Sequence, residues 1–93
     1  MKIFYAHKAI DDLSRLHDFI AKNNPKAAAE ISERVLYAVN RLKDFPMMGR
    51  KVQGHNTTDT LRDLVTGKYL IRYLLLKNEI HILRLWHGKE DLL

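Results

Sequence analysis

The chain contains no cysteine, and that absence removes disulfides, thiolate nucleophiles and the common structural zinc sites together. Its chemistry is left to oxygen and nitrogen groups. Glycine stands at four isolated positions, 49, 54, 67 and 88, so no glycine-rich phosphate loop can be assembled. Serine is confined to Ser14 and Ser32, both inside helix-patterned sequence, which leaves no Ser-His-Asp arrangement. No apolar run approaches the roughly 20 residues that span a bilayer. The start, Met1-Lys-Ile-Phe-Tyr5, has neither the apolar length nor the cleavage site of a signal peptide. The expectation is a soluble, cytoplasmic protein with no membrane partner and no cofactor.

What is present makes one domain over residues 1–93, because a chain of this length buries too little surface for two cores. Its net charge of +5 favours an acidic partner, nucleic acid or protein, without choosing between them. Eight basic and six acidic residues lie up to Pro46 and eight and five beyond it, so any positive surface has to be assembled by folding.

Ile3-Phe4-Tyr5 reads as a brief first strand. From about Lys8 to Lys22, Ile10, Leu13, Leu16 and Ile20 form the apolar stripe of a surface helix. Asn24 is a preferred N-cap and Pro25 suits the first helical position, so a second helix starts there. Ala28, Ile31, Val35, Ala38, Leu42 and Phe45 recur at helical spacing as its core stripe, and Pro46 stops the run. The stretch from Pro46 to Thr60 is too polar and broken for a regular element. Leu61 to Val65 then reads as a strand and Thr66-Gly67 as a turn. Tyr69 to Leu76 and Glu79 to Trp86 form a hairpin about Lys77-Asn78. The fold class is α+β: an N-terminal strand, an αα-hairpin and a three-stranded antiparallel sheet, in the order β-α-α-β-β-β.

A turn at Lys77-Asn78 pairs residues whose numbers sum to 155. Tyr69 then faces Trp86, Ile71 faces Arg84 and Tyr73 faces Ile82 on one side. On the other, Leu70 faces Leu85, Arg72 faces Leu83, Leu74 faces His81 and Lys68 faces His87. Both faces are largely apolar, yet two helices cover only one well, so the second face wants a partner.

Four strings in this order, Phe45-Pro-Met-Met-Gly-Arg50, Leu61-Arg-Asp-Leu64, Tyr69-Leu-Ile-Arg-Tyr73 and Ile82-Leu-Arg-Leu-Trp-His-Gly88, follow a helical hairpin. Over its whole length the chain resembles the RelE/ParE superfamily, the toxins of bacterial type II toxin–antitoxin modules. The resemblance implies the β-α-α-β-β-β domain, an antitoxin encoded beside the toxin, and a role in growth inhibition and plasmid stabilization. RelE-like members cut messenger RNA on the ribosome without a metal; ParE-like members poison DNA gyrase. The closing Leu83-Arg-Leu-Trp-His-Gly88 looks more like ParE, and no tyrosine follows Tyr73, as the RelE ending would have.

The first reading is therefore a ParE-like gyrase inhibitor neutralised by a cognate antitoxin. The alternatives are a RelE-like endoribonuclease acting on ribosome-bound mRNA, and a non-toxic interaction domain. Under the RNase alternative His87 serves as acid or base while Arg62 and Arg84 hold the phosphate; otherwise these three contact the target. The bland reading of such arginines is a salt bridge, with Asp63, Glu90 and Asp91 available. Arg72 is read as the partner of an antitoxin carboxylate or a neighbouring one, with Leu70 and Leu74 as antitoxin-binding residues beside it. His81 reads as a half-buried hairpin histidine, and Tyr69 and Trp86 as core aromatics. Arg50 and Lys51 are either a solvated charge pair or a target contact. His7, His17 and His55 lack ligand spacing, so no metal site is expected.

Overall fold

Helix initiation follows the side-chain chemistry at Asn24. In the computed structural model, which describes residues 1–52 and 60–88, the Asn24 carboxamide accepts a 3.1 Å hydrogen bond from Ala27 N–H, and Pro25 opens helix α2 (Pro25–Arg41). Its partner α1 (His7–Ala21) lies within a residue of the range that the apolar stripe marks out. Helix α2 stops short of its stripe. In a helix the Pro46 ring would strike the Leu42 carbonyl, and the chain leaves through a tight turn in which Phe45 N–H still reaches Arg41 O at 3.0 Å. Phe45, expected in the core, is thereby turned out and is 54% exposed.

The sheet has five strands rather than a lone strand and a sheet of three. They are β1 (Lys2–Tyr5), β2 (Arg50–Lys51), β3 (Leu61–Thr66), β4 (Tyr69–Leu76) and β5 (Glu79–His87), in the order β1-β5-β4-β3-β2. β1 runs parallel to β5 at one edge, and the other neighbours are antiparallel. The two-residue β2 falls in the stretch expected to be irregular; residues 53–59 of that stretch, His55 among them, lie outside the described residues. The β3–β4 turn sits at Gly67-Lys68, one residue later than expected, with Gly67 in the left-handed region at φ 58°. The second hairpin turns at Lys77-Asn78 as expected, where Asn78 takes φ 54°, a conformation that asparagine tolerates.

Register assigns the faces. Leu64, Ile71 and Leu85 form one cross-strand row, and Tyr5, Ile82 and Tyr73 another. They share a face whose core takes in Ala9 and Leu16 from α1 and Val35, Ala38 and Val39 from α2. Both helices thus cover the same side. On the second face the rows are Phe4, His81, Leu74 and Leu61; then Arg84, Arg72 and Asp63; then Trp86, Leu70 and Val65.

The rule of pairs summing to 155 holds only from Leu76↔Glu79 to Tyr73↔Ile82. A β-bulge then leaves Leu83 as an extra residue, and the remaining pairs are Arg72↔Arg84, Ile71↔Leu85, Leu70↔Trp86 and Tyr69↔His87. Five expected pairs are corrected by this slip, those that set Tyr69 against Trp86, Ile71 against Arg84, Leu70 against Leu85, Arg72 against Leu83 and Lys68 against His87. Its consequence is chemical: Arg84 and Trp86 leave the helix-covered face and join Arg72 on the other. The cause lies at the sheet edge. β1 pairs with β5 only as far as Ile82, and beyond it the edge is occupied by Asp12 of α1, which accepts the Leu85 N–H at 2.9 Å.

One buried clasp ties the α2–β2 connection to the sheet. The Tyr73 hydroxyl donates to Pro46 O at 2.8 Å and accepts from Gly49 N–H at 2.9 Å, and burial pushes its phenol up, keeping it neutral. A Cβ on Gly49 would stand 2.7 Å from that hydroxyl, so only glycine allows the approach. Tyr73→Phe strands a buried N–H and a carbonyl. It should cost about 1–3 kcal/mol, read as a fall of roughly 4–20 °C in thermal midpoint for a domain of this size.

Candidate functional site

The bulge sets two guanidiniums directly across from one another, an arrangement that destabilises a strand pair unless each charge is met. Each is. Arg72 donates from Nε and Nη2 to the two Asp63 oxygens at 2.8 and 3.0 Å. Arg84 does the same to Asp12 at 2.7 and 3.1 Å. Trp86 lies buried with the guanidinium carbons of Arg72 and Arg84 at 5.2 and 5.1 Å from its ring, close enough for cation–π attraction.

Asp12 is the hub. Its Oδ2 takes Arg84 Nε and Leu85 N–H, and its Oδ1 takes Arg84 Nη2 and, at 3.1 Å, Arg15 Nη2. Burial alone would push this carboxyl up, but the bonds from Arg84, Leu85 and Arg15 together outweigh it and hold Asp12 below the ordinary carboxylate range. Sequence reading missed it. The available signal was position: Asp12 falls three residues after Ala9 and four before Leu16, on the inward stripe of α1, where a carboxylate needs a partner.

The register does not bring Arg62, Arg84 and His87 together. Arg62 stands on the helix-covered face opposite Tyr73, is 6% exposed, and gives Nη1 to Gly49 O at 2.7 Å and Met47 O at 3.3 Å. Among the described residues its Nε has no partner. Arg84 lies on the opposite face. His87 is opposite Tyr69, with its ring edge-on to that tyrosine at 5.1 Å, four residues along β4 from Tyr73 and so roughly 13 Å away. Tyr69, taken with Trp86 as a core pair, therefore meets His87 instead, and the two aromatics are on different faces.

Leu70, Arg72 and Leu74 share the second face and are half-buried, Arg72 on the neighbouring carboxylate. His81 is half-buried as expected, bonded to Glu79 Oε1 at 2.9 Å and stacked on Phe4 at 5.1 Å. Arg50 and Lys51 are exposed on β2. Among the described residues no cluster of three metal-ligating side chains occurs, and no helix is long and apolar enough to cross a membrane. On the helix side, an open groove of about 1030 Å³ runs between α2 and the β3–β4 hairpin, lined by Ile31, Val35, Ala38, Met48, Leu64 and Tyr69.

This layout of a helical pair on one face of a five-stranded sheet has named relatives. Residues 3–92 match the family described as the ParE toxin of the type II toxin-antitoxin system parDE, and the chain belongs to that family. It is 34% identical over 84 residues to Toxin RelE1 of Caulobacter vibrioides, covering 90% of this chain and 89% of the relative. With Toxin RelE2 of the same organism it shares 32% over 88 residues and 94% of each chain. Among solved structures, the chromosomal ParDE TA system from P. aeruginosa superposes with a TM-score of 0.77 at 20% identity, over 96% of this chain and 97% of that one. The protein HP0894 from Helicobacter pylori superposes at 0.58 and 14% identity, over 97% of each chain. The chain is thus a type II toxin of the ParE/RelE superfamily, a class that works with a cognate antitoxin.

The Asp12 hub carries a stability prediction with a pH sign. A carboxyl held below its unfolded value of about 3.9 contributes fully above that pH, and the contribution is lost as pH falls through the folded pKa. Asp12→Asn should cost about 1–3 kcal/mol at neutral pH, less than a fully buried pair because Arg84 and Arg15 are part exposed. Urea titrations from pH 7 to 2 should show a shallower acid loss in the variant than in the wild type.

Proposed function

We propose that this toxin acts by binding, as a ParE-like inhibitor of DNA gyrase, and that its cognate antitoxin silences it by folding over the second sheet face at Leu70, Arg72 and Leu74 and over the helical hairpin. The observation that carries the reading is the state of the three residues that RNA cleavage would require. Attack of a 2′-hydroxyl on the adjacent phosphorus, with the P–O5′ bond breaking, needs a base for the hydroxyl proton, an acid for the leaving 5′-oxygen and cations converging on the phosphate. Here Arg62 is spent on main-chain carbonyls, Arg84 is held bidentately by Asp12, and His87 stands apart from Arg62. Such groups serve recognition better than catalysis: Arg84 and His87 at the end of β5 contact the target, and Arg62 acts from below through the segment it holds.

The second reading, a RelE-like endoribonuclease dependent on the ribosome, is favoured by the names of the two Caulobacter relatives. A non-toxic interaction domain is the third. Adding purified protein to a translating extract and, separately, to a gyrase supercoiling assay separates them. Intact message with inhibited supercoiling is the expected result. Truncated message would establish the RNase reading, and no effect in either assay, with normal growth on induction, the third.

For the antitoxin face, Leu70→Glu with Leu74→Glu puts two charges among half-buried leucines. It should weaken capture by the antitoxin encoded beside the toxin about tenfold or more, as loss of an interface anchor does. Unchanged capture would remove this face from the antitoxin interface.

A further inference from the structure

We infer that the knuckle between α2 and β2, made by Phe45 and Met47, with Met48 shared with the groove beside α2, and flanked by Arg41, Lys43 and Arg50, is a preformed contact that enters an apolar pocket on an acidic surface of the folded protein target. The inference rests on the toxin reading above and says where the target is gripped.

Three large apolar side chains within four residues are left to solvent here, Phe45 at 54%, Met47 at 64% and Met48 at 40% exposed. Scattered apolar groups need no explanation, but a contiguous set is the mark of an interaction site. What sets this one apart is how firmly its backbone is held from underneath. Tyr73, fully buried, bonds Pro46 O and Gly49 N–H. Arg62, also buried, bonds Met47 O and Gly49 O. Placing a guanidinium in a low-dielectric interior against carbonyls is costly, and a surface turn with no task would not require it. The outcome is a fixed backbone under exposed side chains, so that little ordering entropy is lost on docking.

The side chains state the partner. Methionine and phenylalanine fill apolar pockets, methionine with the adaptability of an unbranched, polarizable chain, and neither reads bases or phosphates. Arg41, Lys43 and Arg50 are all exposed around the tip, with Asp44 as the opposing charge, and the Arg41 guanidinium lies 5.6 Å over the Phe45 ring. A protein surface that is apolar at its centre and acidic around it complements this set. Shape separates target from antitoxin. A segment that folds on binding can wrap a long surface, which this molecule offers in the groove beside α2, whereas exposed side chains on a backbone already held in place match a pocket already formed in a folded partner.

The test uses the full chain with Phe45→Ser and Met47→Ser together, and separately Lys43→Glu with Arg50→Glu. Induced in growing cells, each double variant should need about tenfold more protein for the same growth arrest, the loss expected when interface anchors are truncated. Thermal midpoint and capture by the neighbouring antitoxin should stay at wild-type values. Variants as toxic as a toxic wild type overturn this inference alone. Loss of antitoxin capture in step with toxicity overturns it in favour of the antitoxin as occupant. A wild-type chain that leaves growth unaffected overturns the toxin reading, and this inference with it.

Discussion

The placement of Arg84 and Trp86 on the sheet depends on one carboxylate, Asp12, at the point where β1 ends and β5 continues alone. A straight hairpin would have put Arg84 opposite Ile71, a residue of the helix-covered core, and an unpaired guanidinium there would cost several kcal/mol. Asp12 offers an alternative. By accepting the Leu85 N–H at the unprotected edge and both Arg84 donors, it stabilises the extra residue at Leu83 and carries Arg84 to the other face. The bulge that results also solves an edge problem, since a backbone donor that would otherwise invite another strand is already bonded.

Two functional consequences follow from that geometry. The arginines that look available in the sequence are each engaged within the folded chain: Arg72 and Arg84 tie strands and helix together, and Arg62 fixes the α2–β2 connection. Among the exposed cations, Arg41, Lys43 and Arg50 stand next to the exposed Phe45 and Met47. On the reading proposed above, the second face and the helix-side groove receive a partner that folds on them, and the knuckle one already folded.

Much of the fold was legible because its determinants are local. Asn24-Pro25 marked the start of α2, and Lys77-Asn78 the hairpin turn. The failures have non-local causes. Nothing near Leu83 announces a bulge, because what stabilises it is a carboxylate more than seventy residues earlier in the chain. Phe45 kept helical spacing after the helix had ended, so periodicity carried it into the core while the Pro46 ring had already turned the chain away. Arg50-Lys51 has no alternation to betray a strand, and it becomes one only through pairing with Asp63 and Arg62. Of the candidate site, Asp12 was missed, and Arg84 was recognised but not its face, since face assignment in a strand reverses with a single extra residue.

A double-mutant cycle of Asp12→Ala with Arg84→Ala, measured by denaturant unfolding, tests the central claim most directly. If the carboxylate and the guanidinium hold the bulge as a unit, the two losses are strongly non-additive, with a coupling of about 1–3 kcal/mol. Losses that add to within about 0.3 kcal/mol would show that the two side chains act independently, and the account of how this sheet sorts its charges would be wrong.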